Sequence, residues 1–352
     1  TSLRLASPGG YNYTGVSNTA AYSGTELFLT ASRCLNNDTN NCQLIIDLFS
    51  FNGKQSGTKL IAEDISDLKA ATNPTFIPVA PFTVTPEGLF FASYREGLIR
   101  YNAGTRSVIQ SDPLSIREMK TFRGRALFPR ISSSGKWLSA ASAAGVINIK
   151  PMVWVPQLLT VANEKLYFFV PLQDFVADST ELWVSDGTEA GTIHVANIPG
   201  SVVKAISIEN RLVFASKFGA AVNLWTSDGT ISGTRSHRTF VESNMIAPHV
   251  NLGRSRDLAY WYVSIFGTDT QFATDGFTVW PVASTPFSLY VGGTEYQAQS
   301  TFSEENLIVR TAPVSGLTDR VIARSTSSPN PLFDPVTRRI IRLNNSLFST
   351  ST

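Results

Sequence analysis

The sequence predicts an all-β fold: a single seven-bladed β-propeller of four-stranded antiparallel blades over residues 1–352. Three observations carry it. One phrase recurs, as ELWVSDGTEAGT at Glu181–Thr192, NLWTSDGTISGT at Asn223–Thr234 and, more eroded, DLFSFNGKQSGT at Asp47–Thr58. A second signature, Leu followed by apolar residues, occurs seven times, several times after a short polar turn. Successive first leucines lie 62, 38, 39, 46, 46 and 49 residues apart, around the roughly 40–50-residue period of propeller blades.

Each element follows from local chemistry. In ELWVS, Leu182 and Val184 share one face and Trp183 takes the other, which is the period of a strand. Asp186-Gly187 then suits the positive φ of a tight turn, and IHVANI behind Gly191-Thr192 supplies the return strand. The phrase is therefore a hairpin. The Leu signature begins at Leu27, Leu89, Leu127, Leu166, Leu212, Leu258 and Leu307 and marks the strand before each hairpin. Weaker hairpins are expected at 97–108, 136–149, 270–282 and 319–325. Only 62–71 offers a passable helical turn.

These phrases resemble the ELWxSDGTxxGT repeats of large extracellular and cell-surface proteins, chiefly bacterial. The match is specific over about 160–240 and extends to 43–105, where LIAEDISDLKAATNP resembles the family's inter-repeat linker. The resemblance implies propeller blades at a secreted or cell-surface location. It implies no shared activity.

Composition sets bounds. Charged residues are 16% of the chain and the net charge is +2, too little for the concentrated basic face that nucleic acid needs. No apolar run approaches the length of a membrane helix, so no membrane span is expected. The start at Thr1 suggests a processed or trimmed chain. Cys34 and Cys42 flank a polar, Asn-rich stretch, and a disulfide clamping that loop is favoured over two free thiols. A disulfide would point outside the cytosol. Two thiolates without a nearby His do not make a metal site. Asn12, Asn37 and Asn344 head glycosylation triplets, which matter only in a eukaryotic secretory host.

In a four-stranded blade the strands run A to D outward from the channel. The Asp-Gly turns are then C–D hairpins on one face, and the variable B–C and D–A connections gather on the other. Binding usually lives in such loops. Tyr94, Arg95, Phe175, Phe218 and Phe266 are the candidate ligand contacts, with a glycan or protein as the ligand. The alternative is that these aromatics tuck under their own loops. Asp186, Asp228 and Asp275 are read as turn residues rather than calcium ligands, because calcium needs six to eight converging oxygens. His194, His237 and His249 share no spacing with carboxylates, and no catalytic motif occurs, so no catalytic residue, metal or cofactor is assigned. The rival readings are a structural subunit that self-assembles and a hydrolase or lyase with its site at the channel mouth.

Overall fold

The computed structural model describes residues 13–34, 44–52, 58–63, 65, 82–93, 96–111, 116, 118–172, 179–208, 210–241, 249–255, 258–265, 268–282, 288–291, 294–300, 305–311, 318–325, 339–343 and 346–350. Every regular element among them is a β-strand.

The first sheet contains β1 (Tyr13–Tyr22), β2 (Leu27–Cys34), β3 (Leu44–Phe51) and β4 (Thr58–Ala62). The second contains β5 (Phe82–Thr85), β6 (Gly88–Ser93), β7 (Gly97–Asn102) and β8 (Thr105–Gln110). The third contains β9 (Lys120–Phe122), β10 (Arg125–Ser132), β11 (Gly135–Ser142) and β12 (Gly145–Met152). The fourth contains β13 (Gln157–Ala162), β14 (Lys165–Pro171), β15 (Ser179–Ser185) and β16 (Ile193–Pro199). The fifth contains β17 (Ser201–Ile208), β18 (Arg211–Phe218), β19 (Ala221–Ser227) and β20 (Arg235–Val241). The sixth contains β21 (His249–Ser255), β22 (Leu258–Ile265), β23 (Thr268–Thr274) and β24 (Val279–Val282). The seventh contains β25 (Ser288–Val291), β26 (Thr294–Ser300), β27 (Glu305–Thr311) and β28 (Thr318–Ser325). A two-stranded hairpin, β29 (Arg339–Leu343) with β30 (Ser346–Thr350), follows.

Each four-stranded sheet is an antiparallel meander of consecutive strands, the order of a propeller blade. The chain divides into two compact units. Thr1–Pro151 with Thr337–Thr352 holds the first three sheets and the terminal hairpin; Met152–Val336 holds the other four. Within each unit the first strands of successive sheets are neighbours: β1 with β5 and β5 with β9, then β13 with β17, β17 with β21 and β21 with β25.

Both faces of an inner sheet are buried, which explains the unbroken apolar signatures. Phe91 packs with Phe28 and Leu48 of the first sheet, while its neighbour Phe90 packs with Phe128 of the third. In the second unit Phe214 packs with Phe169 and Leu182, while Val213 and Ala215 pack with Trp261 and Phe272. Burying aromatic rings from both sides locks neighbouring sheets at about 1.5–3 kcal/mol per ring.

One expectation needs correction. The Leu307 signature lies in β27, the third strand of its sheet rather than the second, and residues 319–325 form the fourth strand. The actual second strand, TEYQAQS, lacks the Leu-aromatic pair, so periodicity pointed one strand too far. Residues 339–343 form β29, which pairs with β30. His237 lies inside β20. Residues 2–6, Cys42 and most of 62–71 lie outside the described residues, and so does any test of the disulfide.

Candidate functional site

The meander places the A–B and C–D turns at one end of each sheet and the B–C and D–A connections at the other. The C–D end is built around the repeated phrase. The Ser185 hydroxyl accepts the Gly187 N–H at 3.0 Å and lies 2.7 Å from the Thr192 hydroxyl. Asp186 Oδ1 accepts the Thr188 N–H at 2.9 Å and the Thr188 O–H at 2.7 Å. Thr188 Oγ1 in turn accepts the Gly191 N–H at 2.9 Å, and the Thr192 O–H donates to the Thr188 carbonyl at 2.5 Å. The Thr192 proton being committed there, Ser185 donates to Thr192. Each named position of the S-D-G-T-x-x-G-T phrase thus has a job inside the turn.

The glycines have two separate jobs. Gly187 and Gly229 sit at φ +90° and +83°, a region that side chains disfavour. Gly191 and Gly233 are needed for space: a Cβ there would lie 2.1 Å and 2.0 Å from the nearest carboxylate atoms of Asp186 and Asp228. The 227–234 turn repeats the network bond for bond, with Thr230 donating to Asp228 Oδ1 and Gly233 donating to Thr230 Oγ1. The sixth sheet uses a shorter form, where Asp275 Oδ1 accepts the N–H groups of Phe277 and Thr278, each at 2.9 Å. Burial raises the pKa of Asp275, but these bonds and the Thr278 hydroxyl outweigh it and hold the carboxyl below its ordinary range.

These turns also dock on the neighbouring sheet. A Cβ on Gly229 would meet the Tyr167 hydroxyl at 2.8 Å and Lys165 Nζ at 3.3 Å. A Cβ on Gly276 would meet Arg211 Cδ at 2.7 Å. Lys165 and Arg211 open the equivalent strands β14 and β18, so the fifth and sixth turns seat on the same spot of the preceding sheet. In the first unit the Ala143 N–H donates to the Glu87 carboxylate at 2.6 Å, the same step from the second sheet to the third.

Around Arg211 the junction gathers charge. Its guanidinium lies 3.9 Å from the centre of the Phe277 ring and 3.8 Å from Asp228 Oδ2. Burial works to raise the Asp228 pKa, yet the Thr230 hydroxyl and N–H, with Arg211, bring it down. Tyr167 is fully buried with no partner for its hydroxyl, and burial, reinforced by Asp228 against Arg211, pushes its pKa up to about 12. His237, bonded to the Thr226 hydroxyl at 2.8 Å, is held below its ordinary pKa by burial and then by Arg235 and Arg211, with Asp275 opposing.

On the opposite end, Phe218 closes β18 and is 50% exposed. Tyr94, Arg95, Phe175 and Phe266 lie outside the described residues, so nothing here brings the five candidates together. His194 bonds Asn197 at 3.1 Å, and neither it nor His237 hydrogen-bonds a carboxylate among the described residues. No group of three His, Cys, Asp or Glu side chains is placed to hold a metal among the described residues. The Arg211 junction escaped sequence reasoning. Its signal was the cation directly before the Leu signature, in EKLYF and NRLVF.

No protein-family model matches the chain, and no curated protein matches it. Solved structures of similar fold include the β-propeller domain of the Trilobed protease from Pyrococcus furiosus, at 11% identity over 91% of this chain and 98% of that one, with a TM-score of 0.46. Uncomplexed Pyrococcus horikoshii acylaminoacyl peptidase matches at 11% identity and TM-score 0.46, over 88% of this chain and 52% of that one. The tricorn protease matches at 10% identity and TM-score 0.44, over 95% of this chain and 42% of that one. At such identity and overlap no activity carries across.

Proposed function

We propose that the blades form one seven-bladed propeller over 1–352, secreted or at a cell surface, that recognises a glycan or protein ligand through its B–C face. The reading is non-catalytic. One observation carries it: the repeated carboxylates at the C–D end, Asp186, Asp228 and Asp275, are engaged in holding their own turns. They are tied to structure, while the B–C end carries the half-exposed ring of Phe218 on a rigid hairpin. An aromatic face of that kind suits sugars and protein partners alike.

A glycan array and a pull-down with the purified chain find the ligand. Alanine at Phe218, Tyr94, Arg95, Phe175 or Phe266 then lowers affinity and leaves the melting curve in place, since exposed loop positions usually change stability by under about 0.5 kcal/mol. Turn variants at Asp186 and Asp228 do the reverse. Loss of binding in the turn variants alone would place the ligand on the other face.

A structural reading draws on a different observation. Outer strands in both units expose a β-branched aliphatic: Val108 at 55%, Ile147 at 51%, Ile193 at 51% and Val241 at 65%. Such side chains on a sheet rim favour assembly.

A further inference from the structure

Among the described residues, the Asp228-Gly229 turn is ringed by donors without acceptors. Tyr167 is fully buried and its hydroxyl has no partner. That hydroxyl lies against Gly229, where a Cβ would come within 2.8 Å of it and within 3.3 Å of Lys165 Nζ. Neither Lys165 nor Arg211 donates a hydrogen bond among the described residues, although the Arg211 side chain is only 18% exposed. The carboxylate at hand is Asp228. Its Oδ1 is taken by the Thr230 N–H and O–H, and its Oδ2 stays 3.8 Å from Arg211 Nη2, beyond hydrogen-bond length. Tyr167 feels the charges of both Asp228 and Arg211, so the three donors share one space.

Arg211 is held in place from the sixth sheet. A Cβ on Gly276 would lie 2.7 Å from its Cδ and 3.2 Å from its Cβ, and the Phe277 ring backs its guanidinium. Donors buried without acceptors are unfavourable. Ammonium and guanidinium groups only donate, so their complement is a group that only accepts. Water carries two protons that need acceptors of their own; a carboxylate carries none. Charge gives the same answer. Lys165 and Arg211 against Asp228 leave one positive charge, which a monoanion balances. Burial, reinforced by Asp228, pushes the Tyr167 pKa up to about 12, so its hydroxyl stays protonated and remains a donor.

We propose that this site binds the carboxylate of a small apolar acid, with Lys165, Tyr167 and Arg211 as the donors. The apolar part is read from the rim, where Ile231 and Phe277 stand exposed on the turns of the fifth and sixth sheets. A hydrocarbon or aromatic carrier lies over those side chains while its carboxylate reaches inward. Asp228 is one-third exposed, which leaves the entry open to solvent at the C–D end. Phe218 lies at the other end of the sheets, and neither site needs the other.

Calorimetric titration of the full chain with sodium benzoate, against sodium chloride at equal ionic strength, tests this. The expected result is saturable binding of benzoate at about 1–10 mM, with acetate weaker because it covers less of the rim. Arg211→Met and Lys165→Met each weaken benzoate at least about tenfold. Tyr167→Phe weakens it about threefold or more without lowering the melting temperature of the unliganded chain, which a merely structural hydroxyl would not do. Asp228→Asn removes the competing charge, keeps an oxygen for Thr230, and tightens binding. Arg106→Met, which removes a cation elsewhere, and Phe218→Ala leave it unchanged. Failure of benzoate to saturate by roughly 50 mM in both the wild type and Asp228→Asn overturns the proposal. So does binding that persists undiminished in folded Lys165→Met and Tyr167→Phe, or that falls equally in Arg106→Met.

Discussion

Trp225 lies flat on Phe214 of the adjacent strand, with ring centroids 5.9 Å apart and planes within 6°. The equivalent pair in the fourth sheet, Trp183 on Phe168, repeats this at 6.3 Å and 13°. In both cases the two residues are direct cross-strand partners. The indole N–H finds a local acceptor each time, Ser216 for Trp225 and Glu181 for Trp183. Both rings are partly buried.

Replacing either Trp by Ala removes a stacked ring from a partly buried site. Each change is expected to lower stability by about 2–3 kcal/mol, below the range for a fully buried aromatic. Urea denaturation of the two variants measures it. Indifference to both changes would mean that the repeat keeps its Trp for contact with a ligand.

Gly191→Ala puts a methyl group on the Asp186 carboxylate, 2.1 Å away. The turn must open, at about 2 kcal/mol or more. Asp186→Ala removes the obstacle together with the bonds it accepts, so the double variant is less destabilised than the sum of the two single ones by about 1 kcal/mol. Strict additivity in the cycle would show that the close approach is not what demands glycine.

Tyr167→Phe deletes a buried hydroxyl that has no partner. An unpaired buried polar group is unfavourable, so the variant is expected to hold or gain stability, by up to about 1 kcal/mol. It also relieves part of the damage done by Gly229→Ala, whose new methyl would lie 2.8 Å from that oxygen. A clear loss in Tyr167→Phe would reveal that the hydroxyl is bonded in solution.

His237 sets an acid limit. Its folded-state pKa lies below the ordinary 6.5, so the unfolded chain takes up the proton first. Its contribution is intact above pH 6.5 and declines as pH falls from 6.5 towards the folded value. His237→Gln flattens that stretch of a urea-midpoint profile between pH 7.5 and 5. Asp228 and Asp275, held below 3.8, add a second loss below that pH. A wild-type profile with no slope between 6.5 and 5 would remove His237 from the account.

Much of the architecture was legible because it is local. Strand period, the Asp-Gly turn and the spacing of Leu166, Leu212 and Leu258 all act within a few residues, and each lies where the repeat placed it. The spacing misled at Leu307, since β26 carries no Leu-aromatic pair and only backbone pairing shows which strand is second.

By itself the sequence determined the four-stranded unit, because a hairpin and its apolar neighbour encode their own pairing. It also determined that Asp186 and Asp228 serve their turns, because their partners lie two residues along the chain. Only the tertiary structure decided what crosses between sheets: that Gly229 seats on Tyr167 and that Arg211 lies over Phe277. Those relations join residues some 60 positions apart and depend on how one sheet twists and stacks on the next, which no local pattern records.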